Sequence, residues 1–249
     1  MILKDLHTHT NFSDGKNTAE EMVLSAISKN MECIGFSDHS YTEFDLTYCI
    51  PKDKLSEYKT EINRLKEKYK DKIKILLGIE QDMWSNEPCD CYDYVIGSVH
   101  YMKCGDEYLE IDHSPELFFE MIEKYFDNNG IKLAEQYYDS ICNFDYSNVD
   151  IVGHFDLITK FNELDKRIDE NDERYKKAYR KAVDYLLTYN IPFEINTGAI
   201  ARGYRTTPYP NCEIIDYIKE KGGRFVLSSD SHSAENIMFL FDKYKELVK

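Results

Sequence analysis

The chain has 249 residues, 42% of them hydrophobic, with 46 acidic against 31 basic residues and a formal net charge of -15. That apolar share is enough for a sizeable core, while the charge repels polyanions and argues against binding to bulk nucleic acid or an anionic membrane. No apolar run approaches the roughly 18 residues needed to cross a bilayer, and Lys4, Asp5 and His7 follow Met1-Ile2-Leu3 without an apolar signal core, so a cytoplasmic protein is expected.

A repeating rhythm runs along the chain. Short apolar stretches end in a polar cluster and are followed by amphipathic segments of helical length. The predicted strands are 1–6 running into His7-Thr8-His9, 32–36 into Ser37-Asp38-His39, and 73–79 into Glu80-Gln81-Asp82. They continue with 94–99 into His100, 149–153 into His154, 191–195 into Asn196-Thr197-Gly198, and 224–227 into Ser228-Ser229-Asp230-Ser231-His232. Helices are predicted near 18–30, 53–70, 116–127, 131–143, 172–189, 211–221 and 233–248. Thr18 with Glu21 has the spacing of a capping box, and Ser114-Pro115 that of an N-cap followed by proline in the first turn. Leu55, Tyr58, Ile62, Leu65 and Tyr69 recur at the 3-4 spacing of a helix with one buried face. Alternating strands and helices imply parallel strands joined by crossovers, and seven such units predict an α/β fold, a single closed or nearly closed β/α barrel over 1–249. An open doubly wound sheet is the alternative.

Six of the seven histidines (His7, His9, His39, His100, His154 and His232) fall at or just after the end of a predicted strand. In either parallel architecture this edge is where loops converge on one mouth, so residues far apart in sequence become neighbours. His7 and His9, two apart on an extended segment, point to the same side and can share a cation. Asp14, Glu80 and Asp230 lie at the same edge and supply hard anionic oxygens; Glu80 ends a buried strand, where a carboxylate needs a partner. His113 breaks the pattern and is read as surface. Cys89 and Cys91 have no second pair and are weak metal candidates; the seven cysteines are read as reduced thiols. The motifs of serine hydrolases, P-loop enzymes and cysteine phosphatases are absent, leaving a metal-first chemistry.

His7-Thr8-His9-Thr10 with Asp14-Gly15, then Gly35-Phe36-Ser37-Asp38-His39, Gly78-Ile79-Glu80, Gly97-Ser98-Val99-His100, Gly153-His154 and Ser229-Asp230-Ser231-His232, taken in order, resemble the polymerase-and-histidinol-phosphatase (PHP) family. Glu194-Ile195-Asn196-Thr197-Gly198, leading to Arg202 and Pro208-Tyr209-Pro210, is similar to the histidinol-phosphate phosphatase branch. The resemblance implies a distorted (β/α)7 barrel with two or three divalent ions (zinc, manganese or iron) at the C-terminal ends of its strands. It assigns His7, His9, Glu80 and Asp230 to one ion, Glu80, His100 and His154 to a second, and Asp14, His39 and His232 to a third. The implied reaction is hydrolysis of a small phosphorylated substrate, L-histidinol phosphate, by a hydroxide held between two metals about 3.5–4 Å apart. Glu80, Asp230 and His232 are the expected catalytic groups. Arg202 is the expected phosphate clamp, with Lys160 and Arg205 as further candidates. The acidic and aromatic stretch 101–148, with Asp106, Glu107, Glu110 and Asp112, is a candidate wall for a cationic leaving group. Other phosphoesters and a non-catalytic metal-binding role remain as alternatives, and the oligomeric state is left open.

Overall fold

A computed structural model describes residues 3–248; positions 1–2 of the first expected strand lie outside the described residues. Seven parallel strands form one sheet: β1 (Lys4–Asp5), β2 (Cys33–Phe36), β3 (Lys74–Asp82), β4 (Tyr94–Ser98), β7 (Ile151–Val152), β8 (Phe193–Asn196) and β9 (Phe225–Ser228), neighbours in that order. Two strands absent from the sequence-based expectation, β5 (Tyr101–Cys104) and β6 (Glu107–Glu110), form an antiparallel hairpin directly after His100. Gly105 takes φ +65 at its tip, a left-handed turn position that glycine adopts without steric cost.

The sheet curls until its first and last strands meet. Contact is made at the mouth, where Thr8 bridges Ser231 in parallel, His9 N donates to Ser231 O (2.9 Å) and Ser231 N to His7 O (3.2 Å). Below, the buried Asp5 carboxylate accepts the Ser229 and Met238 amides (3.1 and 3.0 Å) and the Ser229 hydroxyl, tying β1 to β9. The result is a nearly closed seven-stranded barrel, as expected.

The helices lie outside. These are α1 (Ala19–Ser28), α2 (Leu55–Tyr69), α3 (Pro115–Tyr125), α4 (Gly130–Asn143), α5 (Glu173–Leu187), the short α6 (Gly198–Ala201), α7 (Cys212–Glu220) and the short α8 (Phe241–Tyr244). The capping box of Thr18 and Glu21 starts α1, Ser114 accepts the Leu117 amide at the start of α3, and Asn129, Asp172 and Asn211 cap α4, α5 and α7. Each cap satisfies backbone donors that the first turn leaves unpaired. Leu55, Tyr58, Ile62, Leu65 and Tyr69 are all buried, the predicted inner face of α2. These helices enclose the outer core, whereas the barrel interior is a small separate cluster of Leu6, Cys33, Tyr94, Ile96 and Ile151 with Leu76 and Val226 packed on it.

The expected helix 233–248 is a correction. Only 234–236, α8 and 245–248 are helical, in short turns, because Met238 and Leu240 take φ of 60 and 55 and break the hydrogen-bond ladder. Met238 N is instead used to satisfy Asp5, so the tertiary contact overrides helical periodicity. No helix among the described residues is long and apolar enough to cross a membrane.

Candidate metal centre

Each strand of the sheet ends where its chain turns over the barrel mouth, and the side chains at these ends gather around Glu80. The Glu80 carboxylate is buried, with Oε2 2.9 Å from His39 Nδ1, 3.2 Å from His7 Nε2 and 3.6 Å from His9 Nε2. Its Oε1 lies 2.9 Å from His154 Nε2 and 3.3 Å from His100 Nε2, and accepts the Ser98 hydroxyl (2.7 Å). Asp230 Oδ1 joins from the last strand, 3.3 Å from His9 Nε2 and 3.7 Å from His7 Nε2. Towards solvent, Asp14 Oδ2 is 3.0 Å from His232 Nε2 and Asp14 Oδ1 is 3.7 Å from His39 Nε2.

All nine residues expected as ligands are thereby brought into one cluster. Ligand atoms within 4.8 Å of one another group as His7, His9 and Asp230; as His7, Glu80 and His154; as His39, Glu80 and His100; and as His9, Asp14, His39 and His232. His113 belongs to none of these groups; it is exposed at the edge of the cavity above them and paired with Glu110 at 2.9 Å. Among the described residues, Cys89 and Cys91 belong to no such group; Cys89 Sγ lies 3.4 Å from Gln81 Oε1, and Cys91 is exposed.

Two buried carboxylates that sequence reasoning did not assign to the site fix how the histidines point. Glu194 Oε1 accepts from His7 Nδ1 (2.7 Å), while Glu194 Oε2 accepts the backbone amide of His154 (3.0 Å) and the Asn196 side chain (3.0 Å). Asp82 Oδ2 accepts from His100 Nδ1 (3.2 Å) and the His100 amide (2.9 Å). In both rings a carboxylate engages Nδ1 and Nε2 is left facing Glu80, the edge that a metal-ligating imidazole presents to its ion. Strand alternation was the available signal, since Glu194 and Asp82 sit on strands whose neighbours were already noted. A third carboxylate, Asp38, accepts the Thr10 amide (2.7 Å) and the Ser13 hydroxyl (2.6 Å) and so shapes the loop that carries Asp14.

Asp230 is held in an unusual backbone conformation, φ 48, which aspartate tolerates better than most residues and which is met most often at functional sites. Gly198 makes room for it, because a Cβ there would stand 2.8 Å from Asp230 Oδ2. Burial opposes ionisation of Asp230, but Arg202 and His7 outweigh it and hold the carboxyl well below its ordinary range. Burial likewise opposes ionisation of Glu80, and His7, His39 and His100 outweigh it there. His9 is lowered to about 3 by burial and by the nearby His232 and His39, so it is a neutral imidazole with its lone pair available.

The donor set fits divalent cations. His7 Nε2, His9 Nε2 and Glu80 Oε2 are buried without a hydrogen bond. Leaving such atoms unpaired costs roughly 1–3 kcal/mol each, a penalty that coordination removes. Mixed imidazole and carboxylate donors suit zinc, manganese and iron.

A cavity of about 380 Å³ opens above the cluster. Its floor is Asp14, His39, His100, His154, Asp230 and His232, and its opposite wall includes Tyr48, Glu110, Asp112, Leu157 and Tyr204. Of the three expected phosphate contacts, Arg202 and Lys160 line this cavity. Arg202 donates to Asp230 Oδ2 (2.9 Å) and Asp230 O (3.1 Å), with His232 Nδ1 at 3.0 Å, while Lys160 donates to Asp112 O (2.7 Å) and lies 3.1 Å from its carboxylate. Arg205 is elsewhere. It is buried beneath the wall, 3.7 Å from Asp156, over the Tyr209 ring and bonded to Thr159. A buried acid captured the guanidinium that sequence order alone had placed beside Arg202.

Known proteins resemble this chain along nearly its whole length. The chain is 29% identical over 261 residues to the histidinol-phosphatase of Lactococcus lactis, an alignment covering 98% of this chain and 90% of that one. It is 26% identical over 270 residues to the histidinol-phosphatase of Bacillus subtilis, covering 99% of both. Its fold superposes with a TM-score of 0.76, at 23% identity, on a Lactococcus lactis histidinol phosphate phosphatase solved with zinc, L-histidinol and phosphate, covering 99% of this chain and 92% of that one. The PHP domain model matches residues 5–198, so the chain belongs to the PHP domain family.

Proposed function

We propose that this protein, acting as one barrel unit, is a metal-dependent phosphatase that hydrolyses L-histidinol phosphate to L-histidinol and phosphate. The observation that carries the reading is the convergence of six histidines, Asp14 and Asp230 around Glu80 beneath a cavity, in a chain whose relatives along nearly its whole length are named histidinol-phosphatases.

His7, His9, Glu80 and Asp230 would hold one ion, Glu80, His100 and His154 a second, and Asp14, His39 and His232 a third. When bound, divalent ions at these positions neutralise charge on the phosphoryl oxygens and lower the pKa of a water that serves as nucleophile. The rest is work for the chain's own residues. Arg202, anchored on Asp230 and lining the cavity, presents a planar donor set suited to a phosphate oxygen. Lys160 adds positive charge on the same wall, held in place by Asp112. Asp230 and His232 both border the cavity; Asp230, held as a carboxylate, orients Arg202, and His232 is the one of the two that could pass a proton to the leaving oxygen. Glu194 and Asp82 keep His7 and His100 oriented with Nε2 towards Glu80. Opposite the cluster, Glu110 and Asp112 give the wall the negative charge that complements the ammonium and imidazole of histidinol, and Tyr48 and Tyr204 offer ring faces.

The test is phosphate release by protein purified without added ions and then supplied with zinc or manganese. Histidinol phosphate should be hydrolysed far faster than nucleoside bisphosphates or phosphotyrosine. Equal rates on all three would remove the substrate assignment and leave the phosphatase. No release from any of them, by protein that retains metal, would remove both.

A further inference from the structure

Below Glu80 the barrel interior is crossed by the ring of Tyr94, one member of its small apolar cluster. Tyr94 opens β4 and pairs in register with Gly78 of β3. Side chains two apart on a strand share a face, so Tyr94, Ile96 and Ser98 form one inward column, and Ser98 at its top donates to Glu80. Gly78 and Glu80 likewise stand on one face of β3. The Tyr94 ring crosses the interior over two positions that have no side chain. A Cβ at Gly78 would come 2.3 Å from Tyr94 Cζ, and one at Gly35 on β2 would come 2.4 Å from Tyr94 Oη. The ring thus spans β3 and β2 and reaches β1, where its hydroxyl donates to Leu6 O at 2.5 Å. Leu6 immediately precedes His7.

We infer that Tyr94 is a positioning residue for the metal centre, pinning the backbone from which His7 and His9 rise. The ladder of β1 with β2 pairs Lys4 and Asp5, and the segment is tied to β9 through the Asp5 carboxylate and the Thr8–Ser231 bridge. Those bonds hold the strand from its edges; the Tyr94 hydroxyl adds one from across the interior, at the residue just before His7, and the ring fills the layer beneath Glu80 with apolar surface that keeps water from its underside. A phenol is suited to this place: flat enough to lie on two glycines, long enough to reach a third strand, and ending in a donor for a carbonyl that would otherwise be buried unpaired.

The inference rests on reading the cluster as a metal centre, and the experiment separates the two. Zinc affinity is measured by chelator competition on the full-length protein and on Tyr94→Phe, which removes one oxygen and keeps the ring. Tyr138→Phe is the control, because it deletes an equally buried hydroxyl bonded to Tyr175 Oη (3.0 Å) in the outer core. Tyr94→Phe should weaken zinc binding by about tenfold, the lower end of what losing an outer-sphere support costs, while Tyr138→Phe leaves it unchanged. Turnover by Tyr94→Phe should fall at limiting zinc and return at excess zinc, with KM for the phosphoester unchanged. Zinc affinity equal to that of the wild type in Tyr94→Phe, or an equal loss in Tyr138→Phe, overturns the positioning role and spares the metal centre. A wild-type protein that takes up no zinc removes the metal centre and this inference together.

Discussion

The inner and outer parts of the ligand cluster are built differently. His7, His9, Glu80, His100 and His154 are buried, rise directly from strand ends, and in His7 and His100 are backed by a second carboxylate. Asp14 and His232 come from loops, with side chains 32% and 21% exposed, and among the described residues the Asp14 carboxylate meets other members of the cluster and Ser13. The inner ligands are pre-organised by the barrel itself, whereas the outer ones depend on two loops holding their shape. An ion held by the first group should exchange slowly and one held by the second readily, because ordering a loop costs conformational entropy that a strand end has already lost.

Substitutions can break or sharpen that contrast. The largest effect is expected at the centre: Glu80→Gln should lower kcat by about 1,000-fold, as for loss of a principal electrostatic group, measured by phosphate release at saturating metal. A loss below tenfold would mean that Glu80 is not the hub. Next, Glu194→Gln should weaken metal affinity by about 10- to 100-fold through the orientation and basicity of His7, read by chelator competition. The fold should survive, because the amide can keep one of the carboxylate's bonds. At the outer position Asp14→Asn should release one ion per chain and leave the inner ions in place, counted by metal analysis after dialysis; loss of every ion at once would erase the distinction between the two parts.

Arg202→Lys comes next and should raise KM by about tenfold with a smaller change in kcat, because an ammonium cannot hold Asp230 and a phosphate oxygen in one plane. The smallest effect concerns pH. Burial and the adjacent Asp112 push Glu110 up to about 7, so its carboxyl is neutral below that pH and anionic above it. KM for a cationic phosphoester should therefore fall by about threefold as pH rises through this value, the scale of a partly exposed ion pair. Glu110→Gln should flatten that part of the profile.

Much of this arrangement was legible in the residues. Apolar runs bounded by polar clusters located all seven strands of the sheet, and the histidines after five of the runs, with Glu80 after a sixth, marked the mouth. The β5–β6 hairpin was not anticipated, since its residues are polar and aromatic and only the turn at Gly105-Asp106 signals it. The terminal helix failed because amphipathic spacing in 233–248 cannot reveal that Met238 is drawn off to bond Asp5. Arg202 and Arg205 are three apart and look alike in sequence, yet one faces the cavity and the other is buried against Asp156.

From sequence alone came the alternation of strand and helix, the placement of ligand-type side chains at strand ends, and the metal-first chemistry, because periodicity and residue type are local properties. The shared place of Glu80 was expected from the resemblance; tertiary structure alone decided that Glu194 and Asp82 orient the rings and that the Tyr94 ring lies beneath the site. Those roles depend on distances between strands far apart in the chain, and only closure of the barrel sets such distances.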